Sequence, residues 1–146
     1  MAKQKKVTVN GTEYTLQSVS PTWYFNHNDE CGMTGGKRKT VNYIDGLIKN
    51  IVISPKEVST QGISYFEEAE DISTPEKLMT EIESFLEDEK DIGKAQIRAI
   101  RNQEFWSLVF STGKIAYTEW CNMCLSEYYE AREAYINYNE SLKSNQ

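Results

Sequence analysis

Residues Val7 to Leu16 read VTVNGTEYTL, and this stretch carries the clearest local signal in the chain. Asparagine and glycine supply the two positive-φ positions of a type I′ turn, so Asn10-Gly11 predicts a two-residue β-hairpin. In that register Val7 lies opposite Tyr14. The residues then on one face are Val7, Val9, Tyr14 and Leu16. Because a lone hairpin is marginal in water, this face must pack against other elements.

Helical patterns follow the hairpin. Ser20-Pro21 is typical of a helix start, with serine as the N-cap and proline in the first turn. A second helix is predicted from about Thr40 to the break at Ser54-Pro55. A third is predicted after Ser73-Thr-Pro-Glu76, which is typical of a capping box. The apolar stripe of the second helix is Val41, Ile44, Leu47, Ile48, Ile51 and Val52.

The remaining chain predicts one connection and two further helices. Residues 55–72 are interpreted as a long connection that ends in an acidic run. A fourth helix is predicted over about residues 94–111, with Thr112-Gly113 as its C-cap. Its apolar residues are Ile97, Ile100, Phe105, Leu108 and Val109, and those of the third helix are Leu78, Ile82, Phe85 and Leu86.

The last helix is predicted over about residues 114–142. Eight of its residues repeat at alternating steps of four and three, the 3.5-residue period of a helix–helix seam. We call this set the seam: Tyr117, Cys121, Cys124, Tyr128, Ala131, Tyr135, Tyr138 and Leu142. Because its residues are mostly Tyr and Cys, an amphipathic contact face is favoured over a parallel coiled coil.

These patterns predict one mainly α-helical α+β domain over residues 1–146, with an N-terminal hairpin, about five helices and a long C-terminal helix. The 39% apolar and 26% charged residues fit a soluble globular protein. No apolar run approaches the roughly 20 residues that cross a bilayer, so no membrane contact is expected. Three cysteines and a basic start without an apolar segment favour a reducing cytoplasm.

The net charge of −6 is unevenly distributed. Residues 1–56 carry 8 basic and 4 acidic side chains, whereas residues 57–92 carry 2 basic and 12 acidic ones. Residues 93–146 carry equal numbers of basic and acidic side chains. An acidic chain is a poor candidate for nucleic-acid binding, since phosphate contacts dominate that affinity. The favoured interpretation is a solvated charged surface, although the basic first third could meet an acidic partner or the acidic middle of the chain.

Two residue pairs could supply metal ligands: His27 with Cys31, and Cys121 with Cys124. Each pair shares a helix face, and together they have the softness that Zn²⁺ prefers. Because structural zinc pairs usually lie on tight turns, a packed histidine and buried thiols are favoured instead, with no cofactor. Cys121 and Cys124 also resemble a redox dithiol, but no strand precedes them. With one histidine and no phosphate loop of Walker spacing, we expect no enzyme.

An ordered set of motifs resembles a known family. The segments VTVNGTEYTLQ (residues 7–17) and YIDGLIKNIVISPK (residues 43–56) flank Ser20-Pro21, Trp23-Tyr24, Asp29 and Gly35-Gly36. In this order they are similar to the tail assembly chaperones of long-tailed phages and prophages. The resemblance covers about residues 5–90, so residues 1–92 are interpreted as the chaperone-like part and residues 93–146 as a helical extension.

The resemblance implies a non-enzymatic protein of the bacterial host cytoplasm. Such chaperones coat the tape-measure protein until tail-tube subunits replace them, so the tape measure, possibly the tail-tube protein and further copies of the chain are the expected partners. The candidate contact faces are the Val41–Val52 stripe and the seam, although burial in the domain's own core is the favoured interpretation of both, more strongly for the stripe. The partner-binding candidates are Tyr117, Trp120, Tyr128, Tyr135, Tyr138 and Leu142. The alternatives are a structural tail or connector protein retained in the virion and a small zinc- or thiol-dependent regulator.

Overall fold

The computed structural model describes residues 3–32, 40–67, 72–113 and 123–144. These residues form a three-stranded antiparallel sheet, seven α-helices and one 3-10 helix. The elements are β1 (Gln4–Val9), β2 (Thr12–Gln17), α1 (Pro21–Glu30), α2 (Thr40–Ile51), β3 (Val52–Ser54), α3 (Lys56–Gln61), the 3-10 helix (Gly62–Phe66), α4 (Ser73–Glu89), α5 (Ile92–Arg101), α6 (Gln103–Thr112) and α7 (Leu125–Ser144). The fold is mainly α-helical α+β, as the sequence predicts. Gly35-Gly36 of the resemblance lies outside the described residues.

The hairpin has the predicted register. Asn10 and Gly11 have φ of 50° and 84°, and Val7 pairs with Tyr14. The predicted apolar face is buried throughout: Val7, Val9, Tyr14 and Leu16. The turn also docks on α4, because the Asn10 amide donates hydrogen bonds to the hydroxyl oxygens of Ser73 and Thr74 at 3.1 and 2.8 Å.

A third strand, β3, was not predicted. The second helix ends at Ile51 rather than at Ser54-Pro55, and Val52 then pairs with Leu16 of β2. Although Val52 lies in a strand rather than in the predicted helix, its side chain is fully buried. Of the Val41–Val52 stripe, Leu47, Ile48, Ile51 and Val52 are fully buried, Ile44 is half-buried, and Val41 is exposed. Apart from Val41, the stripe therefore belongs to the core, which is the favoured interpretation of its pattern.

Three further expectations are corrected. Residues 55–72 are not a plain connection, since they hold α3 and the 3-10 helix. Ser73 is the first residue of α4 rather than its N-cap, and no side chain caps this helix. The helix predicted over 94–111 is two helices that meet at Asn102, where the backbone leaves the helical region with φ of −103° and ψ of 22°. Other helix boundaries are confirmed: Ser20 caps α1 through the Trp23 N–H, and Gly113 has the left-handed conformation of a C-cap.

Two hydrophobic cores lie along the chain. The main core joins the sheet to α1, α2, α3 and α4, with Leu78, Ile82, Phe85 and Leu86 buried as predicted. The second core is smaller and consists of Ala99, Trp106, Ala131 and Ala134 from α5, α6 and α7. Helix α7 contributes to both, because Leu125 is fully buried in the main core.

Candidate partner-binding surfaces

His27 lies on α1 with both ring nitrogens engaged. Its Nε2 is 3.0 Å from the carbonyl oxygen of Tyr43, and because a carbonyl only accepts, Nε2 is the donor. Nδ1 is then left to accept from the buried Cys31 thiol at 3.8 Å. The ring also stacks on Trp23 and Tyr43, with centroid distances of 4.7 and 5.6 Å. These contacts favour a packed histidine over a metal ligand.

The remaining metal candidates do not extend this pair. Cys124 precedes α7, and its Sγ lies 3.3 Å from both Ser126 Oγ and Glu127 Oε1. Cys121 lies outside the described residues. Within the ranges that the structure describes, no group of three or more His, Cys, Asp and Glu side chains could hold a metal ion. Among the described residues, the candidate ligands that contact each other are His27 and Cys31, and Cys121 is not tested.

The predicted seam is interrupted at Cys124. Helix α7 begins at Leu125, so Cys124 lies before the helix and the seam is not one continuous helical face. Ser18 explains this start, because its buried Oγ accepts a hydrogen bond from the Leu125 backbone N–H at 3.2 Å. Past that point Tyr128 is half-buried, with its ring 5.6 Å from that of Phe25. Tyr117 and Trp120 lie outside the described residues.

The second half of the seam opens to solvent. Tyr135, Tyr138 and Leu142 lie on one side of α7, and we call them the distal face of α7. The rings of Tyr135 and Tyr138 contact Phe110 of α6, at 5.3 and 5.7 Å between centroids. Even so, Tyr135 remains 51% exposed and Leu142 47% exposed. The distal face of α7 is thus only partly covered by α6.

Glu130, which is not among the predicted site residues, joins α5, α6 and α7. Its Oε1 lies 3.3 Å from Arg98 Nε, and its Oε2 accepts hydrogen bonds from Asn102 Nδ2 at 3.1 Å and Trp106 Nε1 at 2.7 Å. One carboxylate thereby contacts α5, the α5–α6 junction and α6 from α7. No local pattern marks this residue, because its partners lie 24 to 32 positions earlier in the chain.

A second apolar surface lies on α5 and α6. We call it the α5–α6 stripe: Ile97, Ile100, Phe105 and Leu108, which are 66%, 64%, 60% and 65% exposed. The sequence predicts these residues as apolar positions of a single helix. The apolar side of a helix is normally its buried side. The structure buries the opposite side instead, since Ala95, Ala99 and Trp106 face α7. Small alanines allow α5 to approach α7 closely and leave the larger side chains outside.

The acidic middle of the chain is partly neutralised by lysines. The ammonium groups of Lys3 and Lys94 donate hydrogen bonds to Asp88 and lower the pKa of its carboxyl from 3.8 to about 2. Lys3 Nζ also lies 3.1 Å from Oε2 of Glu89, which is fully buried. These pairs join α5 and the residue before β1 to the end of α4, so they are structural contacts rather than a binding site.

Comparisons with known proteins gave no relatives. No family model matches the sequence, and searches of curated proteins and of solved structures found no significant match. Among the described helices, none combines the length and the apolar composition needed to cross a bilayer. Functional inference therefore depends on the distal face of α7, the α5–α6 stripe and the ordered motifs of the N-terminal part.

Proposed function

We propose that this chain is a phage tail assembly chaperone that binds the tape-measure protein during tail assembly in the bacterial host cytoplasm. The motifs of residues 5–90 support this proposal by their order and their resemblance to that family. The role is non-enzymatic: the protein covers apolar helix surfaces of its partner and is released before the tail is complete.

The observation that carries the proposal is the distal face of α7. A half-exposed row of aromatic and aliphatic side chains is suited to the apolar side of an amphipathic helix. Tyr135 and Tyr138 present rigid rings with polar tips, which bury a large area at small conformational cost. A tape-measure protein exposes long apolar helical faces that would otherwise associate with one another.

The surroundings of the distal face fit a helical partner. A narrow crevice runs between α6 and α7 and is lined on the α7 side by Ala134, Asn137, Tyr138 and Ser141. The crevice is too narrow for a side chain, but Asn137 and Ser141 at its edge can offer hydrogen bonds to the polar flank of an incoming helix. We expect the partner helix to lie along α7, with its apolar residues against Tyr138 and Leu142.

A pull-down from phage-producing cells tests the proposal. The tagged chain should recover a long, helix-rich tape-measure protein, identified by mass spectrometry. The double variant Tyr135→Ser/Leu142→Ser should lose most of it, whereas Tyr65→Ser, which removes a similarly exposed tyrosine on the 3-10 helix, should retain it. Recovery of no phage tail protein by the wild-type chain would contradict the proposal.

Mass spectrometry of purified virions separates the chaperone from a structural tail or connector protein. A chaperone is released during assembly, so its peptides should be absent from finished particles while those of the tail tube are abundant. If the chain is instead present in a fixed ratio to a tail protein, the structural alternative replaces the proposal.

A further inference from the structure

The α5–α6 stripe is symmetric about the point where α5 and α6 meet. Ile97 and Leu108 are equally far along the chain from the junction between Asn102 and Gln103, and so are Ile100 and Phe105. Arg101 and Glu104 are the next equidistant pair, and both are exposed. Along the chain, the stripe thus has the same apolar pattern in both directions, with opposite charges at equivalent positions.

Such a pattern is complementary to itself. In an isologous contact, residue i of one copy meets residue j of the other, and j meets i. If a two-fold axis passes through the α5–α6 junction, the α5–α6 segments of the two copies pack antiparallel. This arrangement would place Ile97 against Leu108 of the other copy, Ile100 against its Phe105, and Arg101 against its Glu104.

The local structure leaves this contact open. A shallow groove at the junction, lined by residues 100–105, can accept a side chain from the opposite copy. Among the ion pairs of the described residues, none involves Arg101 or Glu104, whereas the neighbouring Arg98 is already engaged by Glu130. The bend at Asn102 lies on the proposed axis, so it shapes both copies equally.

We propose that the α5–α6 stripe is a homodimer interface in which two copies pack antiparallel across the Asn102–Gln103 junction. The contact uses a different surface from the distal face of α7, so dimerisation does not depend on the tape-measure proposal. It would also cover four large apolar side chains that neither core buries. A dimer would then present two distal faces to a long helical partner.

The dimer is expected to be weak. Six side chains per copy form a patch at the small end of specific interfaces, which bury roughly 1,200–2,000 Å² in total. Since only four apolar side chains per copy are covered, we expect association in the micromolar range. Sedimentation velocity of the full chain should therefore show a monomer–dimer equilibrium with a dissociation constant on the order of 10 µM.

Charge exchange provides the decisive test. Arg101→Glu and Glu104→Arg should each weaken the dimer about tenfold, because each places like charges opposite one another at two equivalent positions. The double variant Arg101→Glu/Glu104→Arg should restore wild-type affinity, since the opposite signs are re-established. Both residues are exposed, so neither change threatens folding. Failure of the double variant to recover would overturn the antiparallel arrangement.

Apolar variants test the same interface independently. Ile97→Gln/Leu108→Gln should leave the chain monomeric at 100 µM, a concentration about ten times the expected dissociation constant. Val41→Gln, which replaces a comparably exposed side chain on α2, should dimerise like the wild type. A wild-type chain that is monomeric at all concentrations up to this value, or a dimer that survives the double glutamine change, would refute the proposal. Either result would leave the tape-measure pull-down unaffected.

Discussion

Ser18 connects two distant parts of the chain through one hydroxyl group. It is buried after β2, and its Oγ accepts from the Leu125 N–H, 107 positions later. The first N–H groups of a helix have no intrahelical acceptor, so a side chain must satisfy them where water is excluded. A serine from the start of the chain thereby determines where the last helix begins.

Replacing this serine is expected to destabilise the fold. Ser18→Ala leaves the buried Leu125 N–H without its acceptor, which should lower the free energy of unfolding by about 1–3 kcal/mol. Urea denaturation followed by circular dichroism measures the change. Ser84→Ala, on the exposed side of α4, serves as the control and should stay within about 0.5 kcal/mol of wild type. Equal effects of the two changes would argue against the capping role.

Gly46 is required by the close approach of the His27 ring. A Cβ at residue 46 would overlap the ring atoms of His27, and the ring is held by stacking and by its hydrogen bond to Tyr43. Gly46→Ala gains helix propensity of about 1 kcal/mol, but the overlap should exceed this gain. We therefore expect a net loss of about 1–3 kcal/mol in the free energy of unfolding, measured by urea denaturation.

A double-mutant cycle identifies the cause of that loss. If the His27 ring is responsible, Gly46→Ala should be much less harmful in a His27→Ala background, because the overlap is gone. Purely additive effects would show that Gly46 matters for another reason.

At the scale of elements, Glu130 is the main polar contact between α7 and the α5–α6 pair. Glu130→Gln keeps the shape but removes the charge facing Arg98 and turns one acceptor oxygen into a donor group. The expected loss is about 1–3 kcal/mol in the free energy of unfolding. Glu133→Gln on the same helix, whose one hydrogen bond to Gln96 is long at 3.5 Å, should be nearly neutral. A neutral Glu130→Gln would mean that the alanine and tryptophan packing alone holds these helices.

Acid should weaken the contact of α4 with β1 and α5. The folded-state pKa of Asp88 is about 2, below the ordinary 3.8, so the unfolded chain takes up its proton first as the pH falls. The stabilisation from Lys3 and Lys94 is therefore present above about pH 4 and lost towards pH 2. Asp88→Asn should reduce the slope of stability against pH in this window, measured by urea denaturation between pH 5 and 2. An unchanged slope would contradict the assignment.

At the scale of the whole molecule, α7 couples the two cores. Leu125 is buried in the main core, and Ala131 and Ala134 in the second, on one uninterrupted helix. Opening either core should disturb the other, so we expect unfolding in a single transition.

In the variant Trp23→Phe/Trp120→Phe, the fluorescence of the one remaining tryptophan, Trp106, can test the coupling of the two cores. Trp106 lies in the second core, so its fluorescence reports that core, whereas circular dichroism reports all helices. The two signals should give the same urea midpoint in this variant. A fluorescence transition at clearly lower urea would show that α5, α6 and the end of α7 open independently of the main core.

The sequence by itself determined the elements that local chemistry specifies. The Asn10-Gly11 turn, the Ser20-Pro21 helix start and the Gly113 C-cap depend on backbone preferences of a few adjacent residues, and each is present as predicted. The buried stripes of α2 and α4 follow from periodicity, because burying several large aliphatic side chains on one side of a helix is favourable. The hairpin register follows likewise from its two-residue turn.

Tertiary contacts decided which surfaces remain exposed to solvent and where the helices and strands begin and end. Val52 could extend a helix, but pairing with Leu16 makes it a strand, since hydrogen bonds to β2 are available there. The start of α7 depends on Ser18, and the joining of the C-terminal helices on Glu130. The exposure of the α5–α6 stripe arises because helix packing selected the alanine side for close approach. These outcomes depend on contacts between residues far apart in the chain, which no local pattern of side chains encodes.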